Sequence, residues 1–303
     1  MSYKEDERLK VIKMRDSLFK DPGNGSYRGR RREFVLSDPV LNLWEGIRQE
    51  ALHYFERNNI GWWPDNSKLP TGHLLSSQVS CVNHLYPIRQ HIEAATRILQ
   101  EIDHQITEAC IVDDGYVEFE FIGERQYLKE RAFTRGANCT SVDAVMIGLT
   151  IDGTRKMFFI EWKYVESYPI QNKYKKERAK VYDEYILAED SPFRDKIEPR
   201  DLYYEPFYQL MRQTLLADQC VKNSDHDVSS YLHLHVVPEK NIELKNKITS
   251  PNLKGKDIHD VWKSLLKNDT KFKATTPEYF VRPISTINAT ISIIRYLENR
   301  YWN

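Results

Sequence analysis

Apolar residues in the first third of the chain recur at the three- to four-residue spacing of helices. Residues 1–20, 38–55, 76–87 and 88–102 show this spacing, clearest in Ile88, Ile92, Ala95, Leu99 and Ile102. Asp38-Pro39 and Ser76-Ser77 stand where helices commonly begin. The pattern therefore predicts a helical N-terminal region.

The period of the pattern then changes from helical spacing to two. Phe119 and Phe121 alternate with Glu118 and Glu120, which is typical of a strand with one polar face. Three more strands are predicted, at Val142–Leu149, Met157–Lys163 and Tyr231–Val237, and a helix begins at Pro206. The order helix, strand, strand, strand, helix, strand indicates an α/β fold with a mixed sheet between helices.

Composition narrows the class of protein. The 303 residues include 44 Lys and Arg against 44 Asp and Glu, so bulk positive charge does not drive binding to polyanions. No apolar run reaches the roughly 18 residues of a membrane span, and residues 1–8 lack the apolar core of a signal peptide. Four scattered cysteines form no C-x-x-C pair. We expect a cytoplasmic protein with no membrane partner and with reduced cysteines.

The domain boundaries follow from the same change of period. We expect residues 1–70 to form an N-terminal helical region that packs on the core. Residues 71–303 would then form the core, with a polar, Tyr-rich insertion at 164–200 and further helices at the C-terminus.

Three ionisable residues mark the most informative segments. Asp143 stands at the start of one apolar strand, and Glu161 and Lys163 end the next strand, where side chains two apart share a face. Two carboxylates and a backbone carbonyl, best that of Trp162, make a hard-oxygen site suited to Mg²⁺ or Mn²⁺. Lys163 would orient the attacking water and offset negative charge that develops in the reaction.

This arrangement resembles the PD-(D/E)xK superfamily of nucleases, to which many restriction endonucleases belong. Asp143 matches the first acid and Glu161-Trp162-Lys163 the (D/E)-x-K, while the Pro before the first acid is Val142 here. The resemblance implies a restriction-endonuclease-like three-layer α/β/α core elaborated by extra helices. It also implies an Mg²⁺-dependent deoxyribonuclease, most simply an endonuclease, whose partner is DNA. Double-strand cleavage would suggest a homodimer, which the sequence does not establish.

Two glutamines extend the candidate site. Members of this superfamily often add an acid from the first core helix, and that helix offers Gln78 here, which would contact a phosphate or metal-bound water, or would instead cap the helix. Gln209 lies on the later helix, where the superfamily often places a residue near the phosphate. Its alternative role is that of an exposed helix residue.

The hairpin between Val142–Leu149 and Met157–Lys163 supplies a geometric test. A two-residue turn at Asp152-Gly153 would pair Asp143 with Trp162, on the face opposite to Glu161. The metal site therefore requires an odd-length loop or a bulge, which Gly153 in a left-handed conformation allows.

Three alternatives to the nuclease hypothesis remain at this point. The charged residues could form a surface salt-bridge cluster, or the fold could be a catalytically inactive module that binds DNA or a protein. An unrelated α/β fold would place Asp143 and Glu161 more than about 10 Å apart, too far to share a cation.

Other charged and histidine segments carry weaker signals. Arg28, Arg30, Arg31 and Arg32 form a short basic arm, interpreted either as a solvated linker or as a phosphate contact. The segment 173–180 is basic and Tyr-containing, and is either a solvated helix or a nucleic-acid track. His233 and His235 alternate on one strand and are expected to pack against a helix rather than bind a metal.

Overall fold

A computed structural model describes residues 2–135 and 139–303 of the chain. Residues 136–138, which lie just before the segment of Asp143, are outside the described residues. The α-helices are α1 Tyr3–Met14, α2 Arg48–Arg57, α3 Ser77–Leu85, α4 Ile92–Ile102, α5 Lys176–Leu187, α6 Phe207–Lys222, α7 Ile242–Asn246, α8 Ile258–Leu265, α9 Pro277–Val281 and α10 Ile291–Leu297. Short 3-10 and π turns extend or link several of them.

The strands form a small hairpin and one larger mixed sheet. The strands are β1 Gly25–Tyr27, β2 Arg30–Arg32, β3 Ile106–Cys110, β4 Glu118–Phe121, β5 Val142–Thr150, β6 Arg155–Trp162, β7 Val228–Val236 and β8 Phe272–Thr275. Within the described residues the larger sheet has the order β3-β5-β6-β7-β8, and β4 pairs with the N-terminal half of β5. The strands β3 to β6 pair antiparallel, whereas β6, β7 and β8 run parallel.

The sheet lies between two layers of helices, which confirms the three-layer α/β/α architecture. One apolar core includes Phe158, Ile160 and Trp162 of β6 together with α2, α3, α4 and α10. The other includes Met157 and Phe159 of the same strand together with α5, α6 and α8. Alternate residues of β6 therefore face opposite cores, as the period of two requires.

The loop between β5 and β6 has the odd length that the metal-site hypothesis needs. Ala144 pairs with Ile160 and Leu149 with Arg155, and Thr150 closes the loop against Thr154. Three residues, 151–153, form the loop, and Gly153 has a φ of +81°, a conformation that favours glycine. The register is thus shifted by one from that of a two-residue turn.

The structure corrects several predicted boundaries. The strands β3 and β8 were not predicted, because each is short, lies at an edge of the sheet and lacks clear alternation. The predicted helix over 38–55 divides into a 3-10 turn at Pro39–Asn42, capped by Asp38, and the separate helix α2. The last of the helices expected at the C-terminus is α10, which begins at Ile291.

The N-terminal helix packs against the end of the chain and the segment after β6. Glu7 of α1 accepts a hydrogen bond from the Tyr164 hydroxyl at 2.6 Å, and Lys10 donates to the Tyr301 carbonyl at 3.1 Å. The predicted domain division at residue 70 stays a prediction. No helix among the described residues has the length and apolarity needed to cross a membrane.

Candidate active site

Asp143 and Glu161 lie opposite each other on adjacent strands. The register of β5 and β6, in which Ala144 pairs with Ile160, places these two carboxylates on the same face of the sheet. The Oδ2 atom of Asp143 accepts a hydrogen bond from the Trp162 backbone N–H at 2.7 Å. The alternative of an unrelated fold with distant acids is therefore wrong.

Lys163 joins this pair at the end of β6. Its backbone N–H continues the ladder to the Val236 carbonyl, and its Nζ lies 2.5 Å from Glu161 Oε1. The same Nζ donates to Gln209 Oε1 on α6 at 2.6 Å. Glu161 is 2% exposed and Lys163 5% exposed, so the surface salt-bridge alternative is also wrong.

The helix α6 supplies a second glutamine that the sequence interpretation did not assign. Gln213 is fully buried, and its Nε2 donates both to Glu161 Oε2 and to the Ser141 carbonyl, the latter at 3.0 Å. It follows Gln209 by four residues and so lies on the same helical face. That spacing was the signal available in the sequence.

A third carboxylate, Glu120, lies beside Asp143 on the neighbouring strand. Glu120, Asp143 and Glu161 thus form a row across three strands, called here the acidic row. The pairs Phe119–Ala144 and Phe121–Val142 place Glu120 opposite Asp143 on the neighbouring strand β4. Its alternation with Phe119 and Phe121 suggested a solvent-facing residue, but Glu120 is buried. Glu120 has a φ of +50°, which departs from regular strand geometry. The alternation of polar and apolar residues does not reveal such a departure.

Gln78 of α3 binds this third carboxylate. Its Nε2 donates to Glu120 Oε1 at 2.9 Å, while Ser141 Oγ donates to the other carboxylate oxygen at 3.2 Å. The N-terminus of α3 is instead capped by the Ser76 side chain, so the capping alternative for Gln78 is wrong. The structure thus brings Gln78 to the acidic row, and its contact with a phosphate or metal-bound water stays a prediction.

The acidic row opens into a cavity of about 390 Å³. Asp143 and Glu120 line it, together with Gln78, Glu166 and residues of the Gly61–Asn66 loop. Asp143 is half-buried as a residue, and of the three acids it and Glu120 lie at the cavity wall.

The pKa values of the acidic row reflect burial and, to a smaller extent, neighbouring negative charge. Burial, followed by repulsion from Glu161 and Glu120, raises the pKa of Asp143 well above its usual value. Burial also raises the pKa of Glu120 to about 7, against the opposing effect of hydrogen bonds from Gln78 and Ser141. Burial disfavours the charged form of Lys163, but attraction to Glu161, Tyr168, Glu166 and Asp143 together outweighs it and raises the pKa of the ammonium. Three carboxylates thus face one ammonium.

This donor set fits a divalent cation with oxygen ligands. Excess buried negative charge is stabilised by a hard cation, and Mg²⁺ is commonly held by one or two carboxylates. The Trp162 N–H points to Asp143, and in a strand the carbonyl of the same residue points to the same side. The Trp162 side chain packs in the core on the opposite face of the sheet and donates to Ser80 Oγ at 3.1 Å. The ligand roles of Asp143, Glu161 and the Trp162 carbonyl stay predictions.

A separate group of metal-binding residue types lies elsewhere. Among the described residues, the three-residue group whose ligand atoms all come within 4.8 Å of one another is Glu124, Asp225 and His226. None of the predicted ligands belongs to it. The predicted site instead relies on two carboxylates and a backbone carbonyl.

A second, larger cleft of about 690 Å³ adjoins the acidic row at Ser141. Its lining includes four cationic side chains and two acidic ones, namely Arg131, Lys175, Arg178, Arg212, Glu130 and Glu177. The guanidinium groups of Arg178 and Arg212 lie over the Tyr208 ring, at 5.4 and 4.8 Å from its centroid. Part of the basic segment 173–180 therefore faces this cleft.

The two histidines of β7 contact side chains of the neighbouring helices. His233 Nδ1 lies 3.0 Å from Thr214 Oγ1 on α6, and His235 Nδ1 lies 3.0 Å from His259 Nε2 on α8. Both are thus strand histidines packed against helices, as expected. All four cysteines are free.

Comparison with known proteins gives one family. The family model described as "Restriction Endonuclease associating with ARP" matches residues 10–302. Neither the curated proteins nor the solved structures give a significant match.

Proposed function

The chain belongs to the family of restriction endonucleases associating with ARP, and from this membership and the site geometry we propose that it hydrolyses DNA phosphodiester bonds with Mg²⁺. The family indicates a nuclease-like function and an interaction with DNA. The observation that carries the finer proposal is the register that sets Asp143 opposite Glu161, with the Lys163 ammonium 2.5 Å from Glu161.

Each side chain has a distinct task in this proposal. Asp143, Glu161 and the Trp162 carbonyl would hold the cation, which when bound polarises the phosphate and lowers the pKa of water. Lys163, held between Glu161 and Gln209, orients the attacking water and offsets the charge that builds on the phosphate oxygens. Gln213 holds Glu161 from the opposite side of the carboxylate. Such fixed charges are needed because the barrier must fall by on the order of 20 kcal/mol.

The adjoining cleft supports a polyanionic substrate. Arg131, Lys175, Arg178 and Arg212 outnumber the two acids of its lining, and Ser141 connects the cleft with the acidic row. A local basic surface of this kind can attract a polyanion even though the chain as a whole has no net charge. DNA affinity should therefore fall steeply as salt concentration rises.

The direct test is cleavage of plasmid and linear DNA with Mg²⁺, Mn²⁺ or a chelator. We expect cleavage with either metal, no cleavage with the chelator, and complete loss in Asp143→Ala. Lys163→Met, which keeps the aliphatic volume, should lower the rate by about 10²- to 10³-fold, as expected for the loss of one preorganised charge.

The matched control is Glu93→Gln, which removes an exposed carboxylate whose salt-bridge partner among the described residues is Arg97. It should cleave as the unmodified protein does. Full activity in Asp143→Ala or Lys163→Met would refute the assigned roles. If the protein bound DNA but cleaved it with neither Mg²⁺ nor Mn²⁺, the result would favour the inactive DNA-binding module. A homodimer would bring together two such sites, one for each strand of a duplex, and we propose this arrangement for double-strand cleavage.

A further inference from the structure

The hairpin formed by β1 and β2 displays four exposed arginines. Arg28 and Gly29, with φ values of +50° and +70°, form its two-residue turn, and Arg30, Arg31 and Arg32 form β2. Such turns match the twist of the paired strands. Within the described residues, none of these arginines lies within 4 Å of a carboxylate oxygen.

The register of the hairpin divides these arginines between two faces. Tyr27 pairs with Arg30 and Gly25 with Arg32, so Arg30 and Arg32 share the face of Tyr27. Arg31 pairs with Ser26 and projects from the other face. The hairpin therefore has one face with an aromatic ring and two cations, and another with a single cation.

The face with Tyr27 abuts the mouth of the acidic cavity. The Tyr27 ring lies 5.8 Å from the ring of Trp63 and 4.7 Å from that of His73. Trp63 is 42% exposed and lines the cavity of Asp143 and Glu120. Its backbone N–H donates to Gln78 Oε1 at 2.8 Å, and Gln78 in turn binds Glu120. The arginine face and the acidic row are thus two ends of one connected surface.

The surroundings of Tyr27 are electropositive. Burial and the nearby cations Lys4, Arg8 and Arg28 lower the pKa of His73 to about 4, so this ring is neutral at physiological pH. The positive charge therefore resides on the exposed side chains, which are free to meet an anionic ligand.

We propose that the hairpin face of Tyr27, Arg30 and Arg32, together with Trp63, binds the backbone of the DNA strand next to the cleaved bond. The inference rests on the proposed function. Arginine forks match phosphate oxygens, and an exposed indole packs against a sugar or base. DNA is favoured over an acidic protein because this surface leads directly into the cavity where a phosphodiester would be cut.

The test measures binding of a fluorescent 30-base-pair duplex in chelator, by anisotropy at several salt concentrations. Arg30→Ala and Arg32→Ala should each weaken binding roughly tenfold and lower the salt slope by about one. Arg31→Ala is the matched control, since it removes the same charge from the opposite face of the same strand, and it should change affinity less than about twofold. Trp63→Leu should weaken binding without changing the salt slope.

The result that overturns the proposal is an equal effect of Arg31→Ala and Arg30→Ala, or no effect of either. Displacement of the duplex by poly-glutamate as effectively as by unlabelled DNA would equally overturn it, as would failure of the protein to bind DNA. Loss of affinity in Arg30→Ala with no cleavage in any metal would refute the proposed nuclease and leave the hairpin site standing. Metal-dependent cleavage that is unchanged in Arg30→Ala and Arg32→Ala at subsaturating DNA would refute the hairpin site and leave the proposed nuclease standing.

Discussion

A single side chain, Glu120, changes the charge of the candidate site. Asp143, Glu161 and Lys163 alone would leave one excess negative charge, and Glu120 adds a second within a buried row. The carboxylate is held by Gln78 of α3 and by Ser141, which directly precedes β5. The burial of a carboxylate that is costly to bury and yet firmly held is an argument for the proposed cation site.

The cost of burying the charged Glu120 carboxylate should lower the stability of the metal-free protein. The pKa of Glu120 is raised to about 7 in the folded chain from 4.5, so the folded state binds more protons between these values and stability falls as pH rises through them. In chelator at pH 8, Glu120→Gln should therefore raise the free energy of unfolding by on the order of 2 kcal/mol, and near pH 4.5 it should have little effect. Urea unfolding at the two pH values measures this.

Glu108→Gln is the control, since it makes the same replacement at an exposed position of β3. It should leave stability unchanged at both pH values. A Glu120→Gln effect that is the same at pH 8 and pH 4.5 would show that the ionisation of the buried Glu120 carboxyl is not its cause.

The sequence was enough to select most of the charged residues of the candidate site, but it did not show which side chains are buried. Asp143, Glu161 and Lys163 could be selected because charged residues at the ends of apolar strands are conspicuous. Glu120 was missed because alternation with Phe119 indicates a solvent-facing side chain, and only the packing of α3 across the sheet buries it.

At the scale of elements, a loop and a helix together determine the site. The three-residue loop at 151–153 sets the register that brings Asp143 opposite Glu161, and a slip of one residue would turn Asp143 to the other face. The helix α6 then covers the strand ends with Gln209 and Gln213. Sequence reasoning identified the need for an odd-length loop, but it could not choose the register, because Asp152-Gly153 also suits a two-residue turn.

The role of α6 can be tested through Gln213. Gln213→Ala removes the donor that holds Glu161 and should raise the Mg²⁺ concentration for half-maximal cleavage by about tenfold or more, as for other residues that orient metal ligands. The maximal rate at saturating metal should fall less. A titration of initial cleavage rate against Mg²⁺ separates the two quantities.

Gln219→Ala provides the comparison on the same helix, at a half-buried position outside the site. It should leave the Mg²⁺ midpoint unchanged. If Gln213→Ala lowered the maximal rate with an unchanged midpoint, Gln213 would act on the reaction and not on the position of Glu161.

At the scale of the whole molecule, the sheet brings together side chains from distant parts of the sequence. Gln78, Asp143 and Gln209 come from the two helical layers and the strand between them. The layer order was predictable from the change in hydrophobic period, whereas the edge strands β3 and β8 were not, since four or five residues at an edge carry little pattern. The division of the chain at residue 70 stays a prediction.

The central claim is that Asp143 and Glu161 share one divalent cation. Titration of the protein with Mn²⁺, followed by electron paramagnetic resonance of the free ion, tests this without requiring a DNA substrate. We predict a binding site that is lost in both Asp143→Asn and Glu161→Gln and retained in Glu93→Gln. Equal Mn²⁺ binding by the unmodified protein and by the two site variants, or no binding by any of them, would contradict the claim.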